Sequence, residues 1–489
     1  MPALIVLVSV TIVRGQEPRV DTQGKAGVQG QAQINDPNAP KAGAEAQANS
    51  KIRVETRGPV HEAFAQPFEK DPKANKPVPK QPPQPIAEEP PDQRPAGDNV
   101  QWIPGYWSWN PEAKDFLWVS GIWRNVPDSR RWVPGHWSGT ADGWVYANGH
   151  WAAQGEQDLQ IVPQPPASRE TYQIGNAPDN SSFYIPGSWF YTDSGWNWRD
   201  GYWAESRPGY DWIPASYSWT PQGYAFTNGY WDYAPLNRGM LFAPVSFTDP
   251  SIFSSGFMYR PTYALGTPGL LDSLFVNSGM GQYFFGNYFG QQYSGLGFTP
   301  WLNYGATAYD PLYNYLRFTA PANQTLGGLT LAALQSNLQA RLNGQLAAPP
   351  LTLAEALRLN AAANARTPVL VAPLGDVVRL SSNRIALQPV TAEQRALIRA
   401  HTQAMINRSI EMGRANSSFR GGVNAQGRLQ VPGNLAPNAG IRIQGEGREH
   451  EHLVPNPGGV LPPHGHGEGH PMPPIRPNIP EGHGKPKDK

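Results

Sequence analysis

The chain contains no cysteine. That excludes a disulfide framework, thiol chemistry, a Cys-ligated zinc and a cysteine-linked lipid anchor. Charge is scarce as well. Asp, Glu, Lys and Arg make up 16% of the 489 residues and balance to a net charge of +1, whereas about 25% is ordinary for a globular domain. Without a clustered basic surface, nucleic acid is not an expected partner. No apolar run reaches the roughly 20 residues that a membrane-spanning helix needs. The run from Ala3 to Val13 has the length of a secretory signal core, so residues 1–15 read as a signal peptide. The protein is then expected in the periplasm, at the cell surface or in the medium. The marks of common enzymes are also missing: no phosphate-cradling Gly loop, no His-Glu-x-x-His, no Gly-x-Ser-x-Gly. No catalytic residue and no cofactor emerge, and the expectation is a protein that is not an enzyme.

What the chain has is tryptophan. Of its 17 Trp, all but Trp301 lie between residues 102 and 231. Most of them fall in a six-residue unit, aromatic-x-x-Gly-x-aromatic, that starts at Trp102, Trp118, Trp132, Tyr146, Tyr184, Trp198, Trp212 and Phe226. The starts are 14 residues apart, except for 16 between the first two and 38 between the two groups of four. A fixed short period marks a repeat architecture.

The spacing also sets a register. Thr140-Ala141-Asp142-Gly143, Thr192-Asp193-Ser194-Gly195 and Thr220-Pro221-Gln222-Gly223 carry turn residues midway between units. Folding there pairs Trp137 with Tyr146, Trp189 with Trp198 and Tyr217 with Phe226. Further out it pairs Trp132 with Trp151, Tyr184 with Trp203 and Trp212 with Trp231. The longer first hairpin pairs Trp107 with Trp118 and Trp109 with Phe116. Cross-strand aromatic pairs stabilise a sheet by roughly 0.2–1 kcal/mol each. Pro221 cannot take the positive φ of a type I′ turn, so a type I turn with a Gly bulge is expected, with pairing shifted by one. Alternation places Trp107, Trp109, Phe116, Trp118, Trp137, Trp144 and Tyr146 on one face, the expected core. Trp137 and Trp198 are taken as core residues.

The fold class that follows is mainly β with a small α/β C-terminal part. Its centre is an eight-stranded antiparallel aromatic meander, two four-stranded sheets packed or barrel-like, between long disordered tails. Residues 16–99, rich in Pro, Ala and Gln, read as a disordered spacer; 100–152 and 184–232 are the two repeat groups, joined by a linker at 153–183. Residues 233–320 read as an irregular Tyr/Phe/Gly-rich segment packed on the sheets, and 421–489 as a Gly/Pro/His-rich disordered tail. Residues 326–420 form the α/β appendage. There a leucine stripe predicts a helix over 327–346, and capping boxes at Thr352 and Thr391 open two more. Residues 369–380 read as strand and turn.

Candidate sites are few. His464, His466 and His470 sit in the tail, where Gly and Pro spacers give no fixed metal geometry, so a solvated tail outweighs a metal site. His136 and His150 fall on opposite faces and are no metal pair. The second aromatic row, Trp102, Trp123, Trp132 and Trp151 with its counterpart Tyr184, Trp203, Trp212 and Trp231, is either a glycan-stacking surface or a packed face.

Trp132-Val133-Pro134-Gly135-His136-Trp137 and Tyr146-Ala147-Asn148-Gly149-His150-Trp151 resemble the tryptophan-rich repeat written WXXGXW or YXWGXW, found in exported bacterial proteins. Ala215 and Tyr217 depart from it in one copy. The resemblance implies an envelope or secreted protein without an established activity and carries over no catalytic residue. Two expectations stand: a structural or interaction protein of the cell envelope, or a carbohydrate-binding module, with an envelope polysaccharide or protein as partner.

Overall fold

Threonine and glycine make the turns, and the strands follow from them. The computed structural model describes residues 51–155, 161–171, 175–319, 329–362, 368–380 and 385–418. The stretch read as a signal peptide (1–15), residues 16–50 of the expected spacer, and the expected tail with its histidines lie outside the described residues. In each short hairpin the threonine hydroxyl donates to the glycine carbonyl three residues along the turn, Thr140 to Gly143 at 2.9 Å and Thr220 to Gly223 at 3.0 Å. Glycine takes the positive φ, +126° at Gly143 and +140° at Gly223, so Pro221 fits without strain. The pairing is not displaced. Trp137 faces Tyr146, Trp189 faces Trp198, Tyr217 faces Phe226, and Trp107 faces Trp118. The outer pairs Trp132–Trp151, Tyr184–Trp203 and Trp212–Trp231 form as the spacing predicts.

None of the eight strands runs unbroken. Each stops at the third and fourth residues of its unit, as at Pro104-Gly105 or Asn148-Gly149, and resumes after them. The expected four-stranded meanders therefore resolve into four separate hairpins, spanning 100–125, 130–153, 182–205 and 210–233, and no closed barrel forms among the described residues. The break lets the first aromatic of one unit lie over the glycine of the opposing unit. Trp118 covers Gly105, Trp102 covers Gly121, Tyr146 covers Gly135, and Tyr184 covers Gly201. At seven such glycines a Cβ would come within 2.7 Å of the opposing ring, which is why the motif demands glycine.

The exception explains itself. Ala215 replaces glycine in the copy whose partner begins with Phe226, a ring without the tyrosine hydroxyl or the second tryptophan ring that reaches the glycine elsewhere. Phe226→Tyr should then destabilise the protein by about 1–3 kcal/mol, the usual cost of overpacking. Adding Ala215→Gly should restore it in urea melts. If the double variant is no better than the single, the two positions are not in contact.

The surroundings of the hairpins correct several expectations. Residues 51–99 are not a spacer. Ile52–Val54 extends the first hairpin's sheet through Val245–Phe247, Gly58–Pro59 joins another sheet, and Val60, Ala63, Phe64 and Ile86 are buried. In the linker, Ile161–Val162 pairs with Gly223–Thr227. The segment expected to be irregular at 233–320 carries regular elements in its described part, 233–319: Leu274–Asn277, Gln282–Phe285 and Phe298–Pro300 form a sheet, and Trp301–Thr307 is helical. The C-terminal part is helical but no detached appendage. Val371–Pro373 pairs with Tyr263–Leu265, and Leu387–Pro389 pairs with Gln93–Pro95. Within 369–380 the expected strand forms at Val371–Pro373, but Leu374–Leu380 is a helix rather than a turn, and the leucine stripe yields only Leu331–Leu342. The box at Thr391 closes as expected, Gln394 N–H donating to Thr391 Oγ1 at 3.2 Å. Its helix runs on from Ala392 to Ser418.

Two arginines fasten hairpins to this surround. Arg124 of the first hairpin donates to Asp232 of the fourth at 2.5 Å and to the Ala63 carbonyl at 2.7 Å. Arg238 pairs with Asp211 at 2.5 Å and Asp232 at 3.2 Å, and donates to the carbonyls of Phe64 and Tyr233. Both guanidinium groups are fully buried.

Candidate functional site

The first two hairpins meet through rings rather than backbone bonds. Tyr106 stacks on Tyr146 at 5.6 Å, and Phe116 meets Trp137 edge-on at 5.3 Å. Their strands diverge around a cavity of about 600 Å³. Trp107, Trp118, Trp132, Trp137 and Trp144 form its aromatic walls, Pro82, Pro83 and Pro85 one side. Met405, Ile406 and Ile410 of the C-terminal helix form the roof. The face that alternation marks as core is the face that lines this space. Trp118 is fully buried, but Trp137 and Trp198 are only half-buried, which corrects their core assignment.

The helix is held at the cavity by small residues at a spacing of four. Ser409 donates to Gly135 O at 2.6 Å, Gly413 sits against the Trp137 carbonyl, and Ser417 Oγ accepts from Gly139 N–H at 2.8 Å. Those bonds occupy the free edge of the strand 136–140.

Three of the five wall indoles are already engaged. The Trp107 indole donates to Gln84 O and the Trp137 indole to Trp107 O, both at 2.9 Å. The Trp118 indole donates to Glu88 at 3.3 Å. At the floor, His61 Nδ1 accepts from Ala63 N–H and its Nε2 bonds Pro104 O, which fixes a neutral tautomer. Burial pushes its pKa down to about 4. Toward the cavity the aromatic walls and the helix side chains Met405, Ile406 and Ile410 present ring carbon and aliphatic surface, and Gln81, Gln84, Arg414, Ser417 and Ser418 add polar groups to the lining.

Three carboxylates hold the hairpin breaks. Glu88 accepts from Gly105 N–H at 2.7 Å and Gly121 N–H at 2.9 Å. Glu62 accepts from Gly149 N–H at 3.0 Å and the Tyr146 hydroxyl at 2.8 Å. Glu170 does the same in the third hairpin, with Gly187 N–H at 2.7 Å and the Tyr184 hydroxyl at 3.0 Å. Burial pushes the carboxyls of Glu62 and Glu88 up to about 7, opposed by these donors. All three glutamates come from stretches that read as spacer or linker, so the repeat pattern alone does not find them. The signal is nearby: Val60, Phe64 and Ile86 are apolar residues flanking Glu62 and Glu88 in a polar, proline-rich stretch.

The second aromatic row does not form an open surface. Trp102, Trp123 and Trp151 are buried, Tyr184 is buried, and Trp132, Trp203, Trp212 and Trp231 are half-buried. Phe242 packs on Trp102, Phe318 on Trp203 and Phe183 on Trp231. Of the eight, only Trp132 lines the large cavity. No group of three metal-ligating side chains occurs among the described residues. No described helix is long and apolar enough to cross a membrane.

Buried histidines in the second hairpin give a pH test. Burial, with Arg131 and Arg408 nearby, lowers the pKa of His150 to about 3. Its folded value lies below the unfolded value near 6.5, so its contribution to stability is complete above pH 6.5 and is lost as pH falls toward 3. Relative to His150→Phe, the protein should lose roughly 2 kcal/mol between pH 6.5 and 5, at about 1.4 kcal/mol per unit. Parallel urea melts at the two pH values measure it, and an unchanged difference would mean that His150 is charged in the fold.

Hairpins in which the rings of each strand cover the glycines of its partner strand define a tryptophan-rich β-hairpin repeat protein. The repeat is WXXGXW: the family described as "WXXGXW repeat (2 copies)" matches residues 97–114, 114–138, 142–157, 183–204, 207–231 and 222–239. No curated protein and no solved structure matches the chain.

Proposed function

We propose that this WXXGXW protein is a non-enzymatic, exported binding protein of the cell envelope, and that its first two hairpins frame the binding cavity. One observation carries the reading: a cavity of about 600 Å³ walled by five tryptophans, a size and composition typical of sites for small apolar ligands. At this cavity, a non-catalytic role is supported by where the perturbed groups sit. Glu62, Glu88 and His61 each bond the protein's own backbone, so none is placed to reach a substrate proton. Export is supported by the apolar run from Ala3 to Val13.

An environment-sensitive apolar dye titrated into the full-length protein tests the binding. Saturable binding of one dye per chain, with a change in tryptophan emission, is expected. Linear, unsaturable partitioning overturns it. For export, a reporter active only outside the cytoplasm, fused after Lys489, should be active; a silent but intact fusion counts against that part.

A further inference from the structure

Resting on the binding reading above, we infer that the tryptophan-lined cavity takes a single-chain amphiphile, an alkyl chain carrying an anionic head. Three observations select this class. The first is depth. Among the lining residues Trp118 and His61 are buried, whereas Gln81, Gln84, Arg414 and Ser418 are exposed. The lining thus has a dry part and a wet part, which suits a ligand with two unlike ends.

The second is the relief of the walls. Trp107 meets Trp118 at an interplanar angle of 78°, and Phe116, behind the wall, meets Trp137 at 86°. Edges and faces alternate, so the surface is corrugated. The one parallel pair nearby, Tyr106 and Tyr146, stacks on itself. A rigid flat polycycle needs two parallel faces to lie between; a flexible chain conforms to ridges. Met405 in the roof is itself an adaptable, unbranched side chain.

The third is charge. Arg414 is the one charged residue among the exposed lining residues, and no ion pair among the described residues includes it. The only acid lining the cavity, Glu62, is buried and bound to Gly149 N–H and Tyr146. An anionic head is therefore attracted at the mouth, and a cationic head is not.

The test uses the full-length protein with three C16 probes: palmitate, its neutral alcohol hexadecanol, and hexadecyltrimethylammonium, all below their aggregation thresholds. Binding is read from tryptophan emission, and a brominated fatty acid confirms contact by quenching. Palmitate is expected to bind one per chain, at least ten-fold tighter than either other probe. Arg414→Glu should remove that preference and leave hexadecanol unchanged. Ile410→Trp, which fills the roof, should abolish binding of all three while the melting temperature stays the same or rises. Equal binding of palmitate and hexadecanol, insensitive to Arg414→Glu, overturns the anionic head. Dye binding without chain binding overturns the alkyl chain and leaves the apolar cavity standing. Failure of dye and all three probes with a folded protein overturns both readings.

Discussion

Arg238→Ala should lower the stability of the protein by about 3–5 kcal/mol, the range for stranding a buried charge. Arg238 is fully buried and bonds Asp211 and Asp232, so its loss leaves two carboxylates short of a counter-charge. Arg124 still donates to Asp232, but Asp211 has no second guanidinium. The loss extends beyond charge, since the carbonyls of Phe64 and Tyr233 also lose a donor. Lysine offers one point charge where the fork makes several directed bonds, so Arg238→Lys should recover only part of the loss. Urea denaturation monitored by tryptophan emission gives the number. A change below about 1 kcal/mol, the level of surface substitutions, would mean that the arginine does not join the fourth hairpin to the 61–64 segment.

The second large effect is expected at Glu88. Glu88→Ala leaves the N–H groups of Gly105 and Gly121 and the Trp118 indole without their acceptor, all three buried in the first hairpin. At about 1–3 kcal/mol for each unsatisfied buried group, the total should reach at least about 3 kcal/mol. Glutamine restores one acceptor but turns its amide N–H₂ toward the other glycine, so Glu88→Gln should fall in between. Glu170 does the same task in a half-buried place, where water can replace it, so Glu170→Ala should cost under about 1.5 kcal/mol. Equal losses at Glu88 and Glu170 would show that burial does not set the strength of these carboxylate contacts.

The four hairpins are legible in the sequence because their determinants are local. Thr220 and Gly223 close a turn by a bond between their own atoms, and that turn sets the partner of Tyr217 without reference to any other part of the chain. The glycine of the motif is legible as a constant; its reason, an opposing ring, appears only when Trp102 and Gly121 are seen in space. The wrapping is not legible. Gln81 to Pro85 has the composition of an exposed spacer, yet it walls the cavity, and Glu88 enters the first hairpin a few residues later. Proline-rich chain has few donors of its own and leaves its carbonyls free, so its fate depends on what lies beside it. Gln84 O finds the Trp107 indole. Composition reports the tendency of a segment alone and carries no record of such a neighbour. The same holds for the helix Ala392–Ser418, whose Ser409, Gly413 and Ser417 look unremarkable until they meet the strand 136–140.

The interruptions at x-Gly bear on how so aromatic a chain stays apart from its copies. An unbroken strand of ten residues rich in Trp and Tyr, with one side unpaired, is a template for adding another chain edge to edge. Here each stretch ends after four or five residues, at a pair that is often Pro-Gly, so a second molecule cannot zip along it. The second hairpin's strand at 136–140 has its open side covered by serine hydroxyls from the last helix. Shortening the chain before Ser409 would uncover that side, and self-association, rather than unfolding, is the first failure to expect from such a truncation.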